Sequence, residues 1–464
     1  MPIKLREKTI LNKSSNLFAV LFASTLLFLV ACGSTEESAD TAGSGRSPTH
    51  KNVILIIIDA LRPDHLSCYG YHRFTSPSLD SLAAGGTVWL NARSQAPWTL
   101  PSHATIWTGT TPRTHMTRAD AAWQNTGGPR LNYALDPELP SLPVILSEEG
   151  FATCGIANVI LLSEKFGFDE GFHSYSCAEA DQGGAEVSVD SLIQWIDNNG
   201  SSRFFCMLHL FDVHDPYDPP GVYGELFGSG STSQAVTWEV KDDSLMNPQD
   251  RDHLMANYDG EIAWVDYNLS RLFRRLRETG LSDSTLIVVT SDHGEEFLDN
   301  GWILHGSSLH RELLHVPLIM SGPGIEEGLV VEETPVGLMD LMPTLLAWTG
   351  IPCPESVQGI DILGGDIPSG RMLPASGVAF YRPDSLPQLA SVRVGDIKTI
   401  GYENLEYFQS YDLSRAPEEV RPMEPDSIYV EMVLQYWASP QLGDPDLVDS
   451  DESESRLRDL GYID

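Results

Sequence analysis

Residues 96–109 read Ala96-Pro97-Trp98-Thr99-Leu100-Pro101-Ser102-His103-Ala104-Thr105-Ile106-Trp107-Thr108-Gly109. The hydroxyl of Thr99 is the chemical centre of this stretch, and His103 stands four residues behind it. A threonine hydroxyl is a weak nucleophile at its free pKa and needs a neighbouring base or a metal ion. Thr99 therefore has a role only if the chain supplies metal ligands elsewhere.

Four separated places supply them. Lys51-Asn-Val-Ile-Leu-Ile-Ile-Ile-Asp59 is a continuous apolar run ending in a carboxylate. Such a run reads as a strand of a parallel sheet buried on both faces, with Asp59 at its carboxyl end, where open α/β sheets bind ligands. A second apolar strand, Leu286-Ile-Val-Val-Thr-Ser, delivers Asp292-His293-Gly294-Glu295-Glu296. His305 follows in Gly301-Trp-Ile-Leu-His305-Gly306, and Phe204-Phe-Cys-Met-Leu208 leads into His209-Leu-Phe-Asp212-Val-His214-Asp215-Pro-Tyr217. Imidazole beside carboxylate suits zinc or manganese better than calcium.

The stretch at 96–109 resembles the active-site signature of the sulfatase family, Cys/Ser-x-Pro-Ser-Arg closed by Thr-Gly. Thr99 occupies the Cys/Ser position and His103 the arginine position. The family converts its Cys or Ser to an aldehyde-bearing formylglycine. Threonine cannot give that aldehyde, so the resemblance implies the fold while the residue speaks against ordinary sulfatase chemistry. Ala60 stands where most sulfatases have a second Asp, and His305 where they place a sulfate-holding lysine. The wider alkaline phosphatase superfamily includes phosphodiesterases and phosphomutases with a Thr on zinc or manganese. The resemblance thus implies two divalent ions, one on Asp59, Thr99, Asp292 and His293, the other on Asp212, His214 and His305. His209 is a reserve ligand; His103 and His115 are candidates to line the substrate pocket. His65, His310 and His315 read as structural, and His50, His72, His173 and His253 have no motif around them.

The expected fold is α/β and sulfatase-like, a large mainly parallel sheet between helical layers, with residues 51–365 as catalytic domain. Residues 366–464 are expected to form a small antiparallel subdomain with strands at 390–400 and 407–413 and a terminal helix at 455–461. Pro140–Gly150 and Tyr258–Leu276 read as helices. Segments 178–195 and 225–250 are expected to shape substrate access.

The first fifty residues lie outside that fold. Lys4, Arg6, Lys8 and Lys13 precede the fifteen-residue apolar run Leu17–Ala31, which is short for a membrane span and suits an export signal. Leu29-Val30-Ala31-Cys32 resembles a bacterial lipoprotein box. Cleavage of 1–31, acylation of Cys32 and a flexible tether over 32–50 are expected. Gly33 in the next position permits sorting to an outer membrane.

The 464 residues carry a formal charge of −36. Removal of 1–31 leaves about −39. That charge disfavours nucleic acid and anionic surfaces and repels an anionic ester at long range, so binding must be local. Apart from Cys32 the five cysteines are scattered, and no disulfide is assigned. The expected activity is metal-dependent hydrolysis of phosphate mono- or diesters by Thr99. Sulfate-ester hydrolysis without formylglycine and a non-catalytic surface lipoprotein are the alternatives.

Overall fold

The run after Lys51 is strand β1 (Asn52–Ile58), every residue of it buried. The computed structural model describes residues 51–117, 132–178, 184–228, 248–378, 388–402, 405–443 and 447–448. The export signal, Cys32, the tether and the terminal helix at 455–461 lie outside the described residues. After β1 come β2 (Thr87–Trp89), β3 (Ala152–Ala157), β4 (Ser174–Cys177), β5 (Phe204–Leu210), β6 (Thr285–Thr290), β7 (Leu318–Ser321) and β8 (Leu329–Val331). They form one eight-stranded sheet in the order β8-β2-β7-β6-β1-β5-β3-β4. β7 runs against both its neighbours, β6 and β2; the other pairings are parallel.

A strand buried on both faces needs cover on both. Val53, Leu55 and Ile57 pack with α2 (Thr99–Thr108), α3 (Leu142–Glu148) and α6 (Leu341–Thr349) through Leu100, Trp107, Leu146 and Leu345. Ile54, Ile56 and Ile58 face α1 (Pro77–Ala84), α4 (Ala185–Asn199) and α5 (Pro248–Glu278) through Leu79, Leu192, Tyr258 and Ile262. The apolar stripe of α5 repeats at Tyr258, Ile262, Val265, Leu269, Leu272 and Leu276, the 3.6-residue period of one buried face. The helix begins ten residues before the sequence-based start, at Pro248, where proline suits a first turn. α4 covers most of the segment expected to shape substrate access; its Val189, Leu192 and Ile196 are core instead.

A separate antiparallel sheet follows: β9 (Met372–Val378), β10 (Gln388–Val394), β11 (Ile397–Tyr402) and β12 (Tyr407–Asp412), in that order. The single strand expected over 390–400 is a hairpin, turned at Gly395 with φ +56°, a conformation that favours glycine. Leu389, Ile400 and Tyr411 pack on Leu309 and Leu314 of the catalytic part. Ala390 and Val392 pack on Val433 and Tyr436 of α7 (Ser427–Trp437), a helix not expected from the sequence.

Register places the chemistry. Ile57 pairs with His209 of β5 on one side and Thr290 of β6 on the other. Asp59, His209 and Asp292 therefore gather at the carboxyl edge of three adjacent parallel strands. Among the described residues no helix is long and apolar enough to cross a membrane. Cys68, Cys154, Cys177, Cys206 and Cys353 are free thiols.

Candidate active site

Thr99 is the first residue of α2, following Trp98 in extended conformation, and is fully buried. Pro101 sits in the first turn, where its missing N–H leaves no intrahelical bond unmade. The helix ends at Gly109 in the left-handed region, φ +62°, where a Cβ would lie 2.6 Å from Val357. The positive end of the helix dipole thus lies at the Thr99 end of α2. Thr99 Oγ1 is 3.3 Å from His293 Nε2.

His293 is held in one tautomer. Its Nδ1–H donates to the Gly294 carbonyl at 2.8 Å, which puts the lone pair on Nε2. That nitrogen faces Asp59 Oδ1 at 3.4 Å and Asp292 Oδ2 at 3.5 Å. Neither carboxylate oxygen has a hydrogen-bond partner, although both are buried. The other oxygens are engaged. Asp292 Oδ1 accepts from His293 N–H at 2.9 Å and Ala60 N–H at 3.3 Å, and Asp59 Oδ2 from His209 Nε2 at 3.2 Å. Ala60 takes φ +56°, a strained value for a residue with a Cβ. Tyr258 fixes that turn, its hydroxyl donating to the Ala60 carbonyl at 2.7 Å and accepting from Arg62 N–H at 2.8 Å.

Three further histidines repeat the pattern of a spent Nδ1. His103 donates it to the Thr99 carbonyl at 3.0 Å, His214 to the Asp215 carbonyl at 2.8 Å, and His305 to Glu295 Oε1 at 3.0 Å. In neutral His103 and His305 the lone pair then falls on Nε2, as in histidines whose other nitrogen is held by a second partner for metal binding. His103 Nε2 is buried without a hydrogen-bond partner. The rings of His305 and His293 lie 4.3 Å apart, and those of His214 and His305 4.7 Å apart. His209 differs. Its Nδ1 accepts from Asn158 N–H at 3.4 Å, so Nε2–H donates to Asp59 and orients that carboxylate.

Burial sets the protonation. It holds His293 and His103 down at about 3 and His209 at about 4, all neutral at physiological pH. Burial, then the neighbouring Asp59, pushes Asp292 up to about 6, and burial also raises Asp59. Burial alone would lower His214, but Asp215, Asp59 and Glu295 outweigh it and raise it to about 8. Two raised carboxylates face the neutral imidazoles of His293, His103 and His209, while His214 is the protonated ring beside them. Ligand atoms of Asp59, Asp292 and His293 lie within 4.8 Å of one another, as do those of His103, His209 and Asp292. The donor set fits a divalent cation with nitrogen and oxygen ligands.

The structure gives Asp212 and His115 local partners of their own. Asp212 is separated from His214 by a tight turn in which His214 N–H donates to the Phe211 carbonyl at 2.7 Å. Its Oδ1 accepts from Ala185 N–H at 2.9 Å, at the start of α4, and from Trp264 Nε1–H at 3.2 Å. Oδ1 thus anchors two helices, while Oδ2 is buried without a hydrogen-bond partner. His115 is buried, with Nε2 on Thr105 Oγ1 at 3.1 Å and Nδ1 accepting from Thr117 N–H at 3.1 Å. Both nitrogens are used locally, so it does not line a substrate pocket. His103 moves from pocket lining to candidate ligand. Glu295 had no assigned role, yet it bonds His305 and Tyr217 (2.8 Å), and burial raises it to about 7. Its position in Asp-His-Gly-Glu was the available signal.

Comparison with known proteins identifies the family and the fold. The Sulfatase family model matches residues 51–351. Human arylsulfatase K is 26% identical over 410 residues, covering 75% of this chain and 71% of the relative. For bovine arylsulfatase K the match, also 26% identical, covers 68% of this chain and 66% of the relative. An arylsulfatase of Clostridium perfringens is 24% identical over 383 residues, covering 67% and 77%. Among solved structures, the phosphonate monoester hydrolase of Agrobacterium radiobacter superposes with TM-score 0.66 at 19% identity, covering 89% of this chain and 96% of that one. A structure in complex with its substrate D-glucosamine-2-N,6-O-disulfate gives TM-score 0.65 at 18% identity, covering 88% and 98%. The chain belongs to the sulfatase family and is an ester hydrolase of that family.

Proposed function

We infer that the chain hydrolyses phosphorus esters, with the Thr99 hydroxyl as nucleophile. The carrying observation is that Thr99 Oγ1 lies 3.3 Å from His293 Nε2, beside the two unpartnered oxygens of Asp59 and Asp292. Thr99 oxygen forms a bond to phosphorus and gives up its proton as the ester oxygen leaves with its electron pair and takes up a proton. Water then displaces the threonine oxygen, which regains a proton from it, and the acid is released. Asp59, Asp292 and His293, with His103, would hold zinc or manganese, which as a Lewis acid favours the ionised hydroxyl and offsets charge at phosphorus. A second ion beside His214 and His305 fits the same chemistry.

Arg62, three residues after Asp59, is spent on Asp64, Asp299 and the Glu295 carbonyl. That favours a singly charged ester, a phosphate diester or phosphonate monoester, over a dianionic monoester. Aryl esters of all three, and an aryl sulfate, test the reading. The two singly charged phosphorus esters are expected to turn over fastest, and turnover of the sulfate alone would overturn it. Sulfate hydrolysis by an unmodified Thr99 is the second reading, favoured by the arylsulfatase relatives.

The lipoprotein-box-like stretch Leu29-Val30-Ala31-Cys32 supports a further part of this reading, that the enzyme is held on a bacterial membrane through acylated Cys32. Cys32→Ser is expected to move the protein to the soluble fraction with turnover per molecule unchanged. Retention on salt-washed membranes would count against the anchor.

A further inference from the structure

Arg93 lies six residues before Thr99, in the short strand Ala92–Arg93 that pairs with Val336–Gly337. It is 8% exposed, and its Nε and Nη1 are buried without a hydrogen-bond partner. A guanidinium carries five donors and stays charged in proteins, so an orphan of this kind needs an explanation. Its neighbours deepen the anomaly. Arg393 of β10 and Lys398 of β11 are also buried, at 6% and 3% exposure. The buried carboxylates are Glu419 and Glu312. Glu419 takes both its oxygens to Lys398 Nζ, at 2.8 and 2.7 Å, and accepts from Arg311 N–H at 3.1 Å. Glu312 accepts from Asn300 at 2.9 Å. Arg393 donates to the neutral Gly395 carbonyl and Asn91 Oδ1. Three buried cations thus meet two buried carboxylates, neither of which hydrogen-bonds Arg93, while half-exposed Arg311 and exposed Asp396 beside Arg393 offset one another. Burial, then repulsion from Arg393, lowers Arg93 to about 9, which still leaves it charged at neutral pH.

We propose that the Arg93 guanidinium binds a small inorganic monoanion, chloride in ordinary media, between the segment leading to Thr99 and the C-terminal antiparallel sheet. One negative charge balances the surplus and gives Nε–H and Nη1–H an acceptor. The anion joins the two parts of the fold, because Arg93 belongs to the catalytic segment and Arg393 and Lys398 to β10 and β11. This site is independent of the ester that Thr99 attacks.

The direct test is anomalous diffraction from crystals of the protein with bromide replacing chloride. A bromide peak within hydrogen-bond reach of Arg93 Nε and Nη1 is expected; no peak there at saturating bromide overturns the proposal. In solution, chloride replacing gluconate at constant ionic strength should favour the folded state about tenfold once it exceeds its dissociation constant tenfold. Arg93→Met should lose that dependence. A folded Arg93→Met with the wild-type chloride dependence would also overturn the site. Should that variant not fold, the wild-type bromide map still decides.

Discussion

Thr99→Ala is expected to lower turnover of phosphorus esters by a factor on the order of 10⁴–10⁶, the usual cost of deleting a covalent nucleophile. The fold should survive. The lost methyl and hydroxyl lie at the start of α2, while Leu100, Ala104 and Trp107 carry its packing. Metal content should stay largely intact, because Asp59, Asp292 and His293 remain. Thr99→Ser should keep partial activity, since the hydroxyl persists and only the methyl that restricts its rotamer is gone. Thr99→Cys should not yield an efficient sulfatase beside a formylglycine-generating enzyme, because His103 occupies the position of the signature's arginine. Steady-state kinetics, circular dichroism and metal analysis of the three variants check this series. Near-normal phosphorus-ester turnover by Thr99→Ala would remove Thr99 from the mechanism.

The second large effect concerns metal. The purified chain is expected to carry zinc or manganese, about two ions per chain as in two-metal ester hydrolases. Stripping them should cost a factor on the order of 10³ or more in turnover, recovered on adding the ion back, since Lewis-acid stabilisation is worth several kcal/mol. Asp292→Asn should act likewise, because Oδ2 is one of the two buried oxygens without a hydrogen-bond partner beside His293 Nε2. Asp212→Asn should leave metal content unchanged, since Oδ1 is held by Ala185 and Trp264 and the residue belongs to neither ligand cluster among the described residues. Elemental analysis of each variant reads the result. A single calcium ion, with turnover indifferent to transition-metal removal, would contradict the assignment.

The large sheet was legible because its central strands are buried on both faces. β1, β5 and β6 then read as unbroken apolar runs, and the residue where each run stops falls at the functional edge. That logic put Asp59, Asp292 and His293 at one edge of the sheet, where their ligand atoms lie within 4.8 Å of one another. It failed where side-chain direction depends on a turn. Only Val213 separates Asp212 from His214, yet the bond from His214 N–H to the Phe211 carbonyl sends them to different neighbours. His115 lies near the Thr99 segment in sequence, but Thr105 and Thr117 use up its ring. His209 looked like a reserve ligand; only the contact with Asn158 N–H shows which of its nitrogens carries the proton. α7 was missed because Val433 and Tyr436 are its only fully buried side chains, too few to form a periodic signal.

The stereochemical course at phosphorus tests Thr99 most directly. The substrate is an ester whose phosphorus is made chiral by isotopic or sulfur substitution. Attack by Thr99 followed by attack of water on the threonine ester is two displacements, so the product should retain the configuration of the substrate. Inversion would mean that water attacks the ester directly, and that Thr99 positions the reaction without forming a bond to phosphorus.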